Sequence, residues 1–246
     1  MTIGDLVEEG TYPFHSRFKR AVNFTDGRRL ISVVDKTIGD GPLNIVLPGF
    51  EPGTSHDPLQ IRTGTVVFED REHPVTSRYS SVIPGKPRNL PRFDITTAPP
   101  KSLAFLIDET RERNFRAGFE RGFVQHVKQC VHQIFHGDRL AGIRQLKGTG
   151  LGLTPSGDDF IAGHLIGLNL RGEPTDEVFE AARSENIFSN TFLDLARQGR
   201  ISGRMKNLIL ALMTGRGIRE CTEQLFVVGG TSGADLVTGF YMTARA

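Results

Sequence analysis

The chain has no tryptophan and only two cysteines in 246 residues, and no stretch approaches the roughly eighteen apolar residues of a membrane-spanning helix. So few cysteines exclude a disulfide-stapled scaffold; Cys130 and Cys221, each inside a helical pattern, read as reduced, buried thiols. Nor is there an excess of charge of either sign. Thirty Lys and Arg against 28 Asp and Glu leave a formal +2, and no basic run interleaved with aromatics marks a nucleic-acid surface. The opening residues, Met1-Thr2-Ile3-Gly4-Asp5, carry neither a basic stretch nor a long apolar core. A soluble, cytoplasmic protein without a membrane partner is expected, with room for a small anionic ligand. The length fits one large domain or two modest ones.

What is present falls into two patterns. From about Ser16 to Ser81 the chain is strand-like: Ala21-Val22-Asn23-Phe24-Thr25, a turn at Asp26-Gly27, Leu30-Ile31-Ser32-Val33-Val34, Leu43 to Leu47, and Thr65 to Phe68. These short β-branched runs predict an antiparallel sheet or small barrel over residues 1–83. Five prolines (Pro84, Pro87, Pro91, Pro99 and Pro100) mark 84–100 as an extended connector. Beyond it, over 101–246, the period shifts to about 3.6. Leu103, Leu106 and Ile107, then Phe115, Phe119, Phe123, Val127, Val131 and Phe135 at four-residue steps, predict one long helix with a core-facing stripe. Further helices are expected over Thr175 to Ala182, Phe188 to Arg197, Met205 to Met213 and Ile218 to Val228. The fold class expected is α+β, a β-rich N-terminal part followed by a mostly helical C-terminal part.

One string stands out: Gly148-Thr149-Gly150-Leu151-Gly152-Leu153-Thr154-Pro155-Ser156-Gly157-Asp158-Asp159, running into an apolar helical pattern. Ser156 and Asp159 have the spacing of a capping box. The motif recurs, since Ser232-Gly233-Ala234-Asp235 repeats Ser156-Gly157-Asp158-Asp159, with Gly239 answering Gly163. Helix starts present free amides and a positive dipole end, so two such starts predict a site shared by one anion. Gly157 and Gly233 would let a ligand or another backbone approach, and Gly163 and Gly239 would let the two helices cross closely. No other match at the same 76-residue offset supports a full duplication.

The glycines do not make a nucleotide motif. Leu153 stands where a dinucleotide fingerprint needs its third glycine, and Asp158-Asp159 stand where a P-loop needs Lys and Ser or Thr. The predicted ligand shell is Gly150, Gly152, Thr154, Ser156, Gly157, Asp159, Ser189, Ser232, Gly233 and Asp235, with Arg144 and Lys147 as charge partners. Asp159 and Asp235 have capping as their plainer role. Asp158, not needed for a cap, is the candidate catalytic carboxylate, able to face a substrate NH or a Mg²⁺. His164 is the candidate acid or base, its plainer role being a satisfied core residue. Ser189 either caps a helix or faces the site from within one. His132 and His136, four apart without a third ligand, read as surface residues. No cofactor is required, with Mg²⁺ as the one metal to consider.

With these residues, and with Phe188-Ser189 through Leu193, Ala196 and Gly199, the chain resembles a bacterial family typified by AllH, a subunit of oxamate carbamoyltransferase. The Gly-Leu-Thr-Pro-Ser-Gly-Asp-Asp string is the specific part; Gly41-Pro42-Leu43-Asn44-Ile45-Val46-Leu47 resembles the family's N-terminal strand region, spreading the likeness over most of the chain. The resemblance implies reversible carbamoyl transfer, oxalurate and phosphate giving oxamate and carbamoyl phosphate, within purine or allantoin breakdown. It also implies FdrA-like and AllG-like partner subunits. The Ser-Thr-Arg-Thr motif of aspartate and ornithine carbamoyltransferases is missing, so their residue roles do not carry over. Two alternatives stand beside it: a Mg²⁺-dependent hydrolase using Asp158, Asp159 and Asp235, and a non-catalytic binding or scaffold subunit.

Overall fold

Short β-branched runs separated by tight turns build the N-terminal third, and the computed structural model describes residues 1–87, 90, 91 and 93–246. The strands are β1 (Thr2–Gly4), β2 (Gly10–Tyr12), β3 (Phe14–Phe18), β4 (Ala21–Thr25), β5 (Leu30–Val34), β6 (Asn44–Val46), β7 (Leu59–Arg62), β8 (Thr65–Phe68), β9 (Arg71–Pro74) and β10 (Ser77–Tyr79). They form two open sheets, in the orders β10-β1-β6-β5-β4-β3 and β2-β7-β8-β9. Most pairs are antiparallel, but β1 with β10 and β5 with β6 are parallel, so the larger sheet is mixed. Central β5 is buried at four of its five positions, as a strand flanked on both edges should be. In β8 alternate residues are buried, the period-2 signature of a half-covered strand. The β8–β9 hairpin turns through Glu69 and Asp70, both with positive φ, and the Glu69 carboxylate is tied down by Arg17 at 2.8 Å and the Gly53 N–H at 3.0 Å.

The helices are α1 (Gly118–His136), α2 (Arg139–Leu146), α3 (Ser156–Arg171), α4 (Asp176–Ala182), α5 (Ile187–Arg197), α6 (Gly203–Thr214), α7 (Ile218–Phe226) and α8 (Ser232–Arg245). The layout is α+β. The chain divides into a unit of Met1–Val82 with Arg200–Lys206 and a unit of Ile83–Gly199 with Asn207–Ala246. Segment 200–206 joins the strand unit through Ile201 N–H to Ser81 O at 2.9 Å, Gly203 N–H to Asp40 O at 2.8 Å and an Arg200–Asp5 ion pair at 3.2 Å.

The long helix expected from Leu103 onward differs from what forms. Leu103–Leu106 and Glu109–Asn114 are separate 3₁₀ turns, and α1 starts only at Gly118. A strict four-residue stripe advances about 40° per step around a 3.6-residue helix, so it cannot stay on one face. Phe119 is accordingly 82% exposed, while Val124, Val127, Cys130, Val131 and Ile134 face the core. Phe115 is buried ahead of the helix, edge-on to Phe105 at 5.3 Å. Of the proline-rich connector, residues 88, 89 and 92 lie outside the described residues; Phe93, Ile95 and Ala98 are buried, Phe93 lying 4.4 Å from the Tyr241 ring.

The core of the helical unit is the crossing of α3 and α8. A Cβ on Gly163 would lie 2.0 Å from Leu236 O, one on Gly239 2.0 Å from Phe160 O, and one on Gly167 2.6 Å from Thr243 Cβ. Missing side chains let the two backbones approach to a distance that no other residue allows. Helix α3 is buried almost all round, with Phe160, Ile161, Leu165 and Leu168 at 1% exposure or less.

Candidate functional site

The two Ser-Gly-x-Asp starts come together. Thr154 Oγ1 lies 3.4 Å from Ser232 Oγ, and Ser156 Oγ lies 3.4 Å from Thr231 Oγ1, so each helix start touches the hydroxyl pair of the other. The carboxyls follow the same exchange: the Ser232 hydroxyl stands beside Asp159, and the Ser156 and Thr231 hydroxyls stand beside Asp235. The predicted capping box is therefore not what forms. Pro155 is the N-cap of α3, with Ser156 one position inside, and the Ser156 hydroxyl serves the other helix instead of its own third amide. Proline's fixed φ favours this start, and its ring leaves no side-chain cap to be made.

Gly157 and Gly233 are spent on the protein's own backbone. A Cβ on Gly157 would lie 2.1 Å from Leu146 O, and one on Gly233 1.8 Å from Leu225 O, the carbonyls near the ends of α2 and α7. Their amides are taken as well, by Thr149 O at 2.8 Å and Val228 O at 3.1 Å. A free anion thus finds fewer open amides here than two bare helix ends would offer. Gly150 and Gly152, with φ of +115° and +108°, shape the loop above, and a Cβ on Gly150 would strike Ser156 N at 2.8 Å.

Asp158 points away from the pair. Its Oδ1 accepts from Gly148 N–H at 2.7 Å and its Oδ2 from Ser189 Oγ at 2.6 Å, so it pins the glycine loop to α5. Asn186, not Ser189, caps α5, accepting from Phe188 N–H at 3.0 Å, and its Nδ2 holds Leu153 O at 2.8 Å. Asp235 is fully buried, and its Oδ1 accepts from Leu103 N–H at 2.6 Å while its Oδ2 has no well-aligned partner. Burial pushes its carboxyl up to about 6, opposed by that amide and by the Ser156 and Thr231 hydroxyls. For Asp159 burial pushes the carboxyl up to about 8, against the Ser232 hydroxyl and with the charges of Asp235 and Asp158 adding to the push. Its further contact is the Thr154 hydroxyl at 3.3 Å.

Three predicted residues sit elsewhere. His164, 1% exposed, packs edge-on to Phe135 at 5.7 Å, and its Nδ1 lies 2.6 Å from Thr243 Oγ1. Because the Thr243 hydroxyl donates to Gly239 O at 2.8 Å, it accepts from the ring, which places the proton on Nδ1. Burial, with Arg139 adding, holds the imidazole down to about 3, so the ring is neutral near pH 7. Arg144 and Lys147 line a shallow depression of about 400 Å³ with Leu140, Glu177, Glu180 and Ala181, and Lys147 Nζ donates to Arg183 O at 3.0 Å. Their side chains follow α4, not the paired helix starts. His132 and His136 are both exposed, 5.2 Å apart, and Cys130 is buried and Cys221 half-buried, both free. Among the described residues no three His, Cys, Asp or Glu side chains converge to hold a metal. Asp158 and Asp235 in particular are turned toward different backbone amides. No helix among the described residues is long and apolar enough to cross a membrane.

The pairing also reaches further back along the chain than the motif. Helices α2 and α7 start at Arg139 and Ile218 and end near Gln145-Leu146 and Gln224-Leu225, a spacing of 79 residues, against 76 for the Ser-Gly-x-Asp starts. Thr149 and Val228, whose carbonyls receive the glycine amides, keep the longer spacing, as do Gly150 and Gly229. The first loop therefore carries three extra residues, Leu151-Gly152-Leu153, and its two leucines are 94% and 50% exposed.

A family model described as oxamate carbamoyltransferase subunit AllH matches residues 146–244. Over those residues the chain is AllH-like. The matched span takes in both helix starts, the exposed leucine loop and α5, and leaves out the strand unit and α1. No curated protein and no solved structure matches the chain. Two contributors to the cluster escape sequence reasoning: Thr231, which no spacing distinguishes from any loop threonine, and Leu103, which acts through its backbone amide from 132 residues away.

Proposed function

We propose that the chain is a subunit of an oxamate carbamoyltransferase, and that the joined starts of α3 and α8 are where its small substrate is held. The reaction is transfer of a carbamoyl group from oxalurate to phosphate, giving oxamate and carbamoyl phosphate, and its reverse. What supports the reading is a coincidence of place: the matched residues take in both Ser-Gly-x-Asp starts, and those starts meet over hydroxyl contacts of 3.4 Å. Hydroxyls of Thr154, Ser156, Thr231 and Ser232 offer donors to the oxygen that gains charge at the carbamoyl carbon. Asp158, with both oxygens occupied, is a positioning residue that holds the glycine loop over them. As a subunit the chain acts with others, FdrA-like and AllG-like by resemblance.

The test is formation of carbamoyl phosphate from oxalurate and phosphate by the full chain, alone and with its partner subunits. Ser232→Ala is expected to lower kcat by about 100-fold through loss of one hydroxyl donor. Unchanged turnover in that variant would remove the helix starts from the reaction. A Mg²⁺-dependent stabilisation of the chain alone, lost in Asp158→Asn, would instead favour the hydrolase alternative.

A further inference from the structure

At the far ends of α3 and α8, away from their joined starts, positive charge gathers with little to balance it. A cavity of about 290 Å³ lies there within the helical unit, lined by Lys86, Pro87 and Leu90 of the connector, Leu170 and Arg171 of α3, and Arg245 of α8. Arg171 and Arg245 stand in the last turns of their helices, where a cation offsets the negative end of the dipole. That role does not account for Lys86, which no helix carries and which makes no hydrogen bond or ion pair among the described residues. Buried Pro87 follows it and anchors the backbone at the cavity wall. Among the described residues one carboxylate pairs with any of the three cations: Glu173 meets Arg171 Nε at 2.5 Å, and it is shared with Arg139 at 3.7 Å.

Both guanidinium groups are held by neutral neighbours and keep donors to spare. Arg171 Nη1 donates to Thr243 O at 3.4 Å, reaching across to the end of α8. Arg245 lies over the Tyr241 ring, 5.2 Å from its centre, and its Nη1 donates to the Tyr241 hydroxyl. A guanidinium has five N–H donors, so the Nη2 groups of both arginines and the Lys86 ammonium remain for a guest. Like charges drawn around one cavity repel unless an anion joins them, and the planar forks of arginine match the paired oxygens of carboxylate or phosphate. Leu90 and Leu170 supply an apolar wall, and the volume equals that of roughly ten water molecules, room for a charged head and a short carbon chain. We propose that this cavity binds a small organic dianion, with its charged head on Lys86, Arg171 and Arg245 and its carbon skeleton against Leu90 and Leu170. A phosphate monoester and a dicarboxylate share that chemistry. Helix α3 spans 16 residues, so at 1.5 Å per residue the cavity lies about 24 Å from the helix starts, and a guest there does not compete with one held at Ser156 and Ser232.

Calorimetric titration of the full chain with glycerol 3-phosphate and with succinate tests the two sources, with glycerol as the control that lacks the charged head. At least one dianion is expected to bind, at least about tenfold tighter than glycerol, and to weaken as salt rises. Tighter binding of glycerol 3-phosphate assigns the cavity to a phosphate monoester, and tighter binding of succinate to a dicarboxylate. Lys86→Ala and Arg245→Ala each remove an exposed cation and should each weaken that dianion about tenfold, the loss of one charged hydrogen bond. Ser232→Ala, at the other end of the helices, should leave the affinity unchanged. The proposal is overturned if neither dianion binds, if glycerol binds as tightly, or if Lys86→Ala and Arg245→Ala both leave the affinity as it was. It is overturned equally if binding is lost in Ser232→Ala, since the dianion would then sit at the helix starts.

Discussion

Asp158 illustrates how a residue with a catalytic look is absorbed by structure. The sequence offers an acidic side chain not needed for capping, one position from a glycine and close to a flexible loop. In the fold, Gly148 N–H and Ser189 Oγ take both its oxygens at 2.7 and 2.6 Å, in a place where the side chain is 4% exposed. Asp158→Ala leaves an amide and a hydroxyl without a partner, and loss of stability by roughly 3 kcal/mol is expected, measured by urea denaturation. Ser189→Ala orphans only one carboxylate oxygen and should cost about half of that. Ser189 could not be placed from spacing alone, because Asn186 and Ser189 are both acceptable caps. Only the contact with α3 decides between them.

At the scale of elements, the small residues were the most legible feature. The period of Gly163 and Gly239 within their motif points to a close crossing, and both backbones do meet there. Gly163→Ala drives a methyl group against Leu236 O and is expected to destabilise by about 3 kcal/mol or more. By contrast Gly122, in the middle of α1 with nothing within 4 Å of its missing Cβ, is expected to gain about 0.5–1 kcal/mol as Gly122→Ala. Thermal unfolding of the two variants gives opposite signs if helix approach, and not glycine content, governs. The stripe before the motif suggests one long helix because a four-residue step looks like a face over two turns, but it leaves that face over five. The similarity of α2–α3 to α7–α8 was hidden by the three residues Leu151-Gly152-Leu153, which shift the register of any fixed-offset comparison. Deleting them should leave the unfolding transition cooperative and the stability within about 1 kcal/mol, since shortening the loop to its counterpart's length removes one exposed hydrogen bond, from Asn186 to Leu153 O, and little packing; circular dichroism and denaturant midpoints test this.

For the whole molecule, buried titratable groups set a pH dependence with a definite sign. Asp159 moves from 3.8 unfolded to about 8 folded, so between these values the folded chain holds more protons, and stability falls as pH rises. Asp235 adds the same sign from 3.8 to about 6. His164 acts oppositely, losing stability as pH falls from 6.5 toward about 3. Between pH 6.5 and 8 only Asp159 among these three titrates in the folded chain, so Tm should decline across that interval, and Asp159→Asn should flatten the decline. A flat wild-type profile would mean that the carboxyl is ionised throughout. None of this is legible in the sequence, where an aspartate at a helix start suggests an ordinary, solvated cap. The α+β layout was legible, because strand and helix periods are local; the exchange of partners between two distant helix starts is not a local property.

That exchange has a geometrical meaning. When the hydroxyl of one hairpin answers the carboxyl of another and is answered in return, the contact is self-complementary, as across the two-fold axis of a homodimer. Here the axis lies inside a single polypeptide, and the three exposed residues at the tip of one loop are where its two sides part company. Around such an axis the two sides present nearly equivalent sets of groups, and that surplus of three residues is what makes them distinguishable.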